Sequence, residues 1–509
     1  MNFSKRLGIY FLIVLVPCFY RWKWNENSVF IASDPEIKYY QVINSINGGK
    51  AEDCYFPAKE LGFDFSMVPF GYPWAFELKN GRCVFQYPVL FTWLQKIILT
   101  AVSIKWITFF PVLFFFLNFI LLDRIFSFFH LDRKIIFLSV VLTQCFTPIF
   151  LSSLDYSELT LTNFFFLASI LSYHLFSQHK QFRFGLLLAV SIIFNFQLRP
   201  ESTIALILYF SIVFFFEKEK VYRLKILLPY VLLSILLLMV FSLWNQSVYG
   251  HYLGMRGLNT MTDMESGLFR NLLGEWIADL WGNEFKIGIF YGYPILFLGI
   301  LGLGLKKDKQ TIAFLTAGLL FVLLLPILSP YRAGVDIFGM RYFESGIYLL
   351  MIGVFLTFGI QNSKLKYFLL VLPFLYFCYK SDLRAIKQWS SSAKLYHQVM
   401  NSFNQLKPDL IVHRGLSLSY LIGISYVTYP QIAIYSNDDW LKVETILKNQ
   451  YKRILYLEWE GNRLVNNEFP EKIWKQKFDI NFKLEPKVYV IQSEQNIAHF
   501  KGYLLERPK

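Results

Sequence analysis

Seven charged residues beside long apolar runs are of the right types to move a proton and to hold a phosphate: Asp34, Glu36, Asp155, Glu158, Arg199, Arg332 and Arg341. Asp34 and Glu36 stand in Ser33-Asp34-Pro35-Glu36-Ile37-Lys38-Tyr39-Tyr40-Gln41, about ten residues beyond the first apolar run. One reading is a helix start, with Ser33 or Asp34 as N-cap, Pro35 at the first helical position and Glu36 in the first turn. The other makes Asp34 a general base, and the two are compatible because a capping carboxylate is rigidly placed. Asp155 and Glu158 share the short turn from Ser152 to Glu158, which holds no basic residue. They could cap the next helix, or bind an acceptor or a metal. Arg199 sits in Arg199-Pro200-Glu201 between two apolar runs. It could pair locally with Glu201 or snorkel, or it could meet a lipid-borne phosphate at the interface. Arg332 and Arg341, with Asp336 between them, invite the same alternatives.

The chain that must position these groups is apolar beyond what a soluble fold can cover. Of its 509 residues 55% are hydrophobic and 19% aromatic, which calls for a lipid-facing exterior. Hydropathy predicts a polytopic α-helical membrane protein with about eleven transmembrane helices. The first is Leu7–Trp22, retained because no Ala-x-Ala cleavage site follows it. The others centre on Ile104–Leu122, Ile135–Leu151, Leu159–Phe176, Phe184–Leu198, Ser202–Phe216, Ile226–Leu243, Ile287–Leu305, Thr311–Leu328, Tyr342–Ile360 and Tyr367–Tyr379. The net charge of +14 would raise the question of nucleic acid in a soluble protein. Here the excess cations fall in Asp123–Lys134, Gln178–Arg183, Glu217–Lys225, Lys306–Gln310 and Asn362–Lys366. The short connections on the other side carry far fewer. By the positive-inside rule this predicts a multi-pass inner (plasma) membrane protein with a cytoplasmic N-terminus, membrane lipids around it and no nucleic-acid partner.

Two domains are expected: a transmembrane domain over 1–380, whose first extracytoplasmic loop covers about 23–103, and a small soluble extracytoplasmic α/β domain over 381–509. In the latter, Asp409–Arg414, Ile432–Ser436, Arg453–Trp459 and Lys487–Ser493 read as short strands, with helices near Ser417–Ser425 and Asp438–Asn449. That is a βαβ pattern without a GxGxxG or a phosphate loop. Cys18, Cys145 and Cys378 lie in apolar runs and read as core residues. Cys54 and Cys83 fall in the first hydrophilic segment, where they are either bonded or free. No CxxC or His/Cys metal spacing occurs.

This layout resembles the GT-C superfamily of integral-membrane glycosyltransferases, and within it the protein O-mannosyltransferase and lipid A aminoarabinose transferase branch. The resemblance rests on an acid shortly after the first span in Ser33–Tyr40, on Phe85-Gln86-Tyr87-Pro88-Val89-Leu90 leading toward the second span, on Asp155 and Glu158, and on Phe338-Gly339-Met340-Arg341-Tyr342-Phe343. The usual Asp-Glu doublet is here Asp34-Pro35-Glu36, and no Trp-Trp-Asp-Tyr-Gly is present. What the resemblance implies is transfer of a sugar from a polyprenyl-phosphate-linked donor to a hydroxyl on a glycolipid, glycan or protein, with inversion. Asp34 would be the base, Arg199 and Arg341, with Arg332, would face the donor phosphate, and Asp155 or Glu158 would orient the acceptor or hold a divalent ion. A polysaccharide polymerase or ligase, and a lipid-linked glycan transporter, are the rival readings.

Overall fold

The computed structural model of the chain describes residues 2–25, 33–54, 63, 67, 75–78, 82–101, 104–217, 220–255, 272–282, 287–305, 308–328, 341–361, 372–414, 429–447, 450–459, 484–497 and 500–508. In chain order the elements begin with α1 (Phe3–Asn25), α2 (Ser33–Ile46), β1 (Ala75–Glu77), β2 (Cys83–Phe85), α3 (Val89–Ala101), α4 (Phe110–Phe128), α5 (Arg133–Cys145) and α6 (Ile149–Ser152). Next come α7 (Leu159–His179), α8 (Phe182–Leu198), α9 (Pro200–Phe216), α10 (Lys220–Tyr249), α11 (Leu272–Trp281), α12 (Ile289–Gly292), α13 (Phe297–Leu305) and α14 (Lys309–Leu328). The last are α15 (Glu344–Gln361), α16 (Leu372–Leu406), β3 (Leu410–Arg414), β4 (Gln431–Ile434), α17 (Asn437–Leu447), β5 (Arg453–Trp459), β6 (Val490–Ile497) and β7 (Phe500–Glu506). They form two compact units, Met1–Arg21 with Ile98–Lys387 and Trp22–Ile97 with Gln388–Lys509. The expected domain border at 380–381 falls inside α16, which is unbroken.

The first unit is a helical membrane protein. Among the described residues six helices are long and apolar enough to cross a bilayer: Phe3–Trp24, Trp106–Phe128, Leu159–His179, Lys225–Tyr249, Lys309–Ile327 and Arg341–Phe358. The predicted runs that differ do so for local reasons. Ile135–Leu151 is divided at Phe146-Thr147-Pro148 into α5 and α6, because Pro148 cannot continue a helix. Ile287–Leu305 is divided at Pro294 into α12, a single 3-10 turn and α13. The helices α8 and α9 have 17 residues each. Asp123, expected in a loop, is buried inside α4, where Arg6 donates to it at 2.6 and 2.9 Å and Tyr10 at 2.8 Å.

Helix α7 ends on Lys180, left-handed at φ 52°, so that α8 starts two residues later and packs back along it. Packing then passes from α8 to α9, from α9 to α14 and from α14 to α15. At that last contact a Cβ on Gly318 would lie 2.7 Å from the Leu350 nitrogen and 2.9 Å from the Gly346 oxygen, so only glycine admits the approach. Helix α15 packs against α14, α13, α5, α9 and α7. In the most apolar stretch of α10 no residue is buried, which fits a lipid-facing helix.

The second unit is built on a five-stranded sheet, order β4-β3-β5-β7-β6. β3 is parallel to β4 and β5, while β5–β7 and β7–β6 are antiparallel. Alternation assigns the faces. Leu410, Val412, Ile432, Ile434, Ile454 and Tyr456 pack with Trp440, Val443 and Leu447 of α17, and with Phe63 and Met67. Ile411, Leu455, Leu457 and Leu504 pack with Val399, Met400 and Phe403 of α16. The strand readings over 409–414, 432–436 and 453–459 overlap β3, β4 and β5, and the helix over 438–449 overlaps α17 as far as Leu447; the reading over 487–493 starts three residues early, since β6 runs Val490–Ile497, and 417–425 and 448–449 lie outside the described residues. β7 was not anticipated.

A disulfide joins Cys54 to Cys83, deciding between the two readings of that pair. It closes a 29-residue separation, and Arg82 reinforces it by pairing with Glu52 and Asp53. Replacing both cysteines by serine is expected to cost about 2–4 kcal/mol in the unfolding of this unit, read by chemical denaturation. An unchanged midpoint would assign the clamp to Arg82 alone.

Candidate functional site

The candidate site lies in the first unit, where four pieces of backbone bring charged side chains together. The segment between α6 and α7 supplies Asp155 and Glu158. Glu158 occupies the N-cap of α7, yet its side chain makes no capping bond. Its carboxylate instead lies 3.1 Å from Arg199, off the hydrogen-bonding direction, so the attraction is electrostatic. Glu158 is fully buried and the Arg199 side chain is 3% exposed. The capping role expected for Glu158 is thus replaced by a long-range ion pair, because a buried guanidinium outweighs a backbone amide as partner.

Arg199 is aimed by the junction of α8 and α9. Pro200 at the first position of α9 disfavours helical backbone before it, and Arg199 is extended at φ −152°, ψ 99°. Its Nη1 also donates to Glu201 at 2.9 Å, so the expected local pair with Glu201 is present together with the distant one. Removing a guanidinium from between two carboxylates in a dry site is costly.

The start of α15 completes the cluster. The guanidiniums of Arg199 and Arg341 stand 5.2 and 5.3 Å from the centre of the Tyr342 ring, sharing one aromatic platform. Arg341 and Tyr342 are half-buried. Two residues on, the buried Glu344 accepts hydrogen bonds from the Ser152 hydroxyl and the Asn163 amide. Arg199 and Asp155 are near enough to act on its charge. Ser345 and Ser202 share a 2.6 Å hydrogen bond that ties the starts of α15 and α9. Arg21, buried near the end of α1, lies within the electrostatic reach of Asp155.

Of the residues singled out in the sequence, Asp155, Glu158, Arg199 and Arg341 are therefore brought together. Asp34 and Glu36 are the second and fourth residues of α2 in the other unit, and their side chains lie outside the described residues. Arg332 and Asp336 lie outside them as well. Glu344 was not anticipated. Its signal was an acid opening an apolar run, one residue past Arg341-Tyr342-Phe343, where a charge entering a span is rarely idle. Asp382 was also missed: it is buried in α16 and accepts a 2.7 Å hydrogen bond from Tyr293.

Among the described residues the donor set does not fit a divalent ion. Among the described residues no three His, Cys, Asp or Glu are grouped to hold one. Glu158 faces a guanidinium and Glu344 two neutral donors, so neither has the arrangement that a hard cation requires. What the arrangement can do is hold an anion against half-buried cationic charge while keeping carboxylates nearby in fixed orientation. No protein-family model matches the chain, and no curated protein matches it.

Proposed function

We propose that this chain is an inverting membrane glycosyltransferase that moves one sugar from a polyprenyl-phosphate donor to a hydroxyl of a glycolipid, glycan or protein. The single observation behind the reading is the gathering of Asp155, Glu158, Arg199, Arg341 and Glu344 at the ends of apolar helices. Such groups are expensive in a membrane protein and are retained where chemistry uses them. The threading through about eleven spans, with this cluster and the soluble part on the extracytoplasmic side, belongs to the same proposal. It is supported by the basic residues of the five loops on the opposite side.

In the reaction the acceptor oxygen attacks the anomeric carbon, and the bond from that carbon to the donor phosphate breaks. The phosphate leaves with the electron pair, and the hydroxyl proton passes to the Asp34 carboxylate. A phosphate is a good leaving group, so a cation near it matters more than an acid. Arg341 is the more exposed of the two arginines on Tyr342 and is the one to contact the phosphate. Arg199, already matched by Glu158 and Glu201, contributes field and holds Tyr342 and Glu158 in place. Asp155 or Glu158 orients the acceptor.

Arg341→Ala is expected to raise the donor KM about 10- to 100-fold, the worth of one charge-assisted hydrogen bond, with the acceptor KM unchanged. Steady-state transfer in proteoliposomes measures both. An equal rise in the two constants would give Arg341 a folding role. A product carrying a whole glycan chain would favour a polymerase or ligase.

A further inference from the structure

We infer that the C-terminal sheet is the seat of the acid-bearing helix α2, so that Tyr435 is a positioning residue for Asp34. This rests on the transferase reading for its consequence, but the contact itself is in the second unit alone. Alternation along β4 sends Ile432 and Ile434 into the core beneath α17. Ala433 and Tyr435 take the opposite face and are buried with Ile37 and Tyr40 of α2. Ile37 and Tyr40 are three residues apart and share one side of that helix. Asp34 lies only three residues before Ile37, within the same turn.

Tyr435 is itself held. It stands at the turn from β4 into α17, where Ser436 and Asp439 form a capping box. Asp439 Oδ2 accepts from the backbone nitrogens of Tyr435 and Ser436 at 3.0 and 3.2 Å, and Ser436 Oγ accepts from Asp439 N at 3.3 Å. Burial pushes the Tyr435 phenol well above its ordinary pKa, so the ring stays neutral at any physiological pH.

The antiparallel pair β1–β2, a hairpin tied to Cys54 by the disulfide, also holds α2. Cys83, Phe85 and Tyr87 join the same apolar cluster. The buried Lys38 ammonium lies 4.9 Å from the Tyr87 ring centre, and Gln41 Nε2 donates to the Ala51 carbonyl at 2.7 Å. A helix held in one cluster by both the hairpin and β4 has little freedom to tilt. A domain more than 350 residues away in sequence thereby sets where the acid stands.

The test uses the full chain in lipid with Tyr435→Ala, Ile37→Ala and Tyr435→Phe. Hydrogen exchange by mass spectrometry should find the amides of residues 37–46 exchanging about tenfold faster or more in both alanine variants, with β3 and β5 still protected. Under the transferase reading, kcat should fall by a similar factor with donor KM unchanged, and Tyr435→Phe, which keeps the ring, should restore both. Should Tyr435→Ala also lose protection in β3 and β5, Ile37→Ala decides the matter, since it leaves the sheet intact. Unchanged exchange in 37–46 would overturn the inference, as would faster exchange with full kcat. If the wild-type protein transfers no sugar, the exchange arm still decides whether the sheet seats α2, and only the transferase reading fails.

Discussion

Asp34→Asn is expected to lower kcat by on the order of a hundredfold to ten-thousandfold, with normal membrane insertion. Asparagine preserves the size of the side chain but cannot take the acceptor proton. The fold should tolerate the change, because Ile37 and Tyr40 keep α2 packed against Tyr435 and the hairpin. Glu36→Gln should do far less. Residues two apart in a helix sit about 200° apart around its axis, so one acceptor meets only one of these two positions. Donor turnover, compared with the amount of inserted protein, measures the effect. Full activity in Asp34→Asn would move the base to Asp155 or Glu158.

Arg199→Ala is expected to destabilise the first unit by about 3–5 kcal/mol, because it strands the fully buried Glu158 without its cation. The paired variant Arg199→Ala with Glu158→Gln should recover most of that loss, since the cost lies in the unmatched charge and not in the missing side chain. Thermal unfolding in detergent of the two single variants and the double variant forms the cycle. Equal destabilisation in Arg199→Ala and in the double variant would mean that packing against Tyr342, not charge, is what Arg199 supplies.

Much of this fold is legible in the sequence where short apolar runs stand apart. The runs in Asp409–Arg414, Ile432–Ser436 and Arg453–Trp459 mark the parallel strands, and position along each strand sorts its residues to two faces. β7 escaped because Lys501 and Gly502 interrupt its apolar pattern and it is held by pairing with β5 and β6. Hydropathy located the long apolar helices but is blind to proline, so it joined what Pro148 and Pro294 divide. It also stopped at Tyr379, where α16 continues because Ile386, Trp389, Ala393, Tyr396, Met400 and Phe403 keep an apolar stripe at helical spacing.

The site was legible one partner at a time. The Arg199-Pro200-Glu201 spelling foretold the local pair, whereas nothing local joins Arg199 to Glu158 or Glu344 to Ser152 and Asn163. Such pairs exist only through the packing of α7, α8, α9 and α15, and a carboxylate at an N-cap reads as a cap until its true partner is seen.

The most direct test of sugar transfer is a product balance in proteoliposomes loaded with a labelled polyprenyl-phosphate sugar and a hydroxyl acceptor. One free polyprenyl phosphate is expected for each glycoside formed, the new bond having the opposite anomeric configuration to the donor. Intact donor crossing to the other leaflet, with no polyprenyl phosphate released, would contradict it and mark the chain as a transporter.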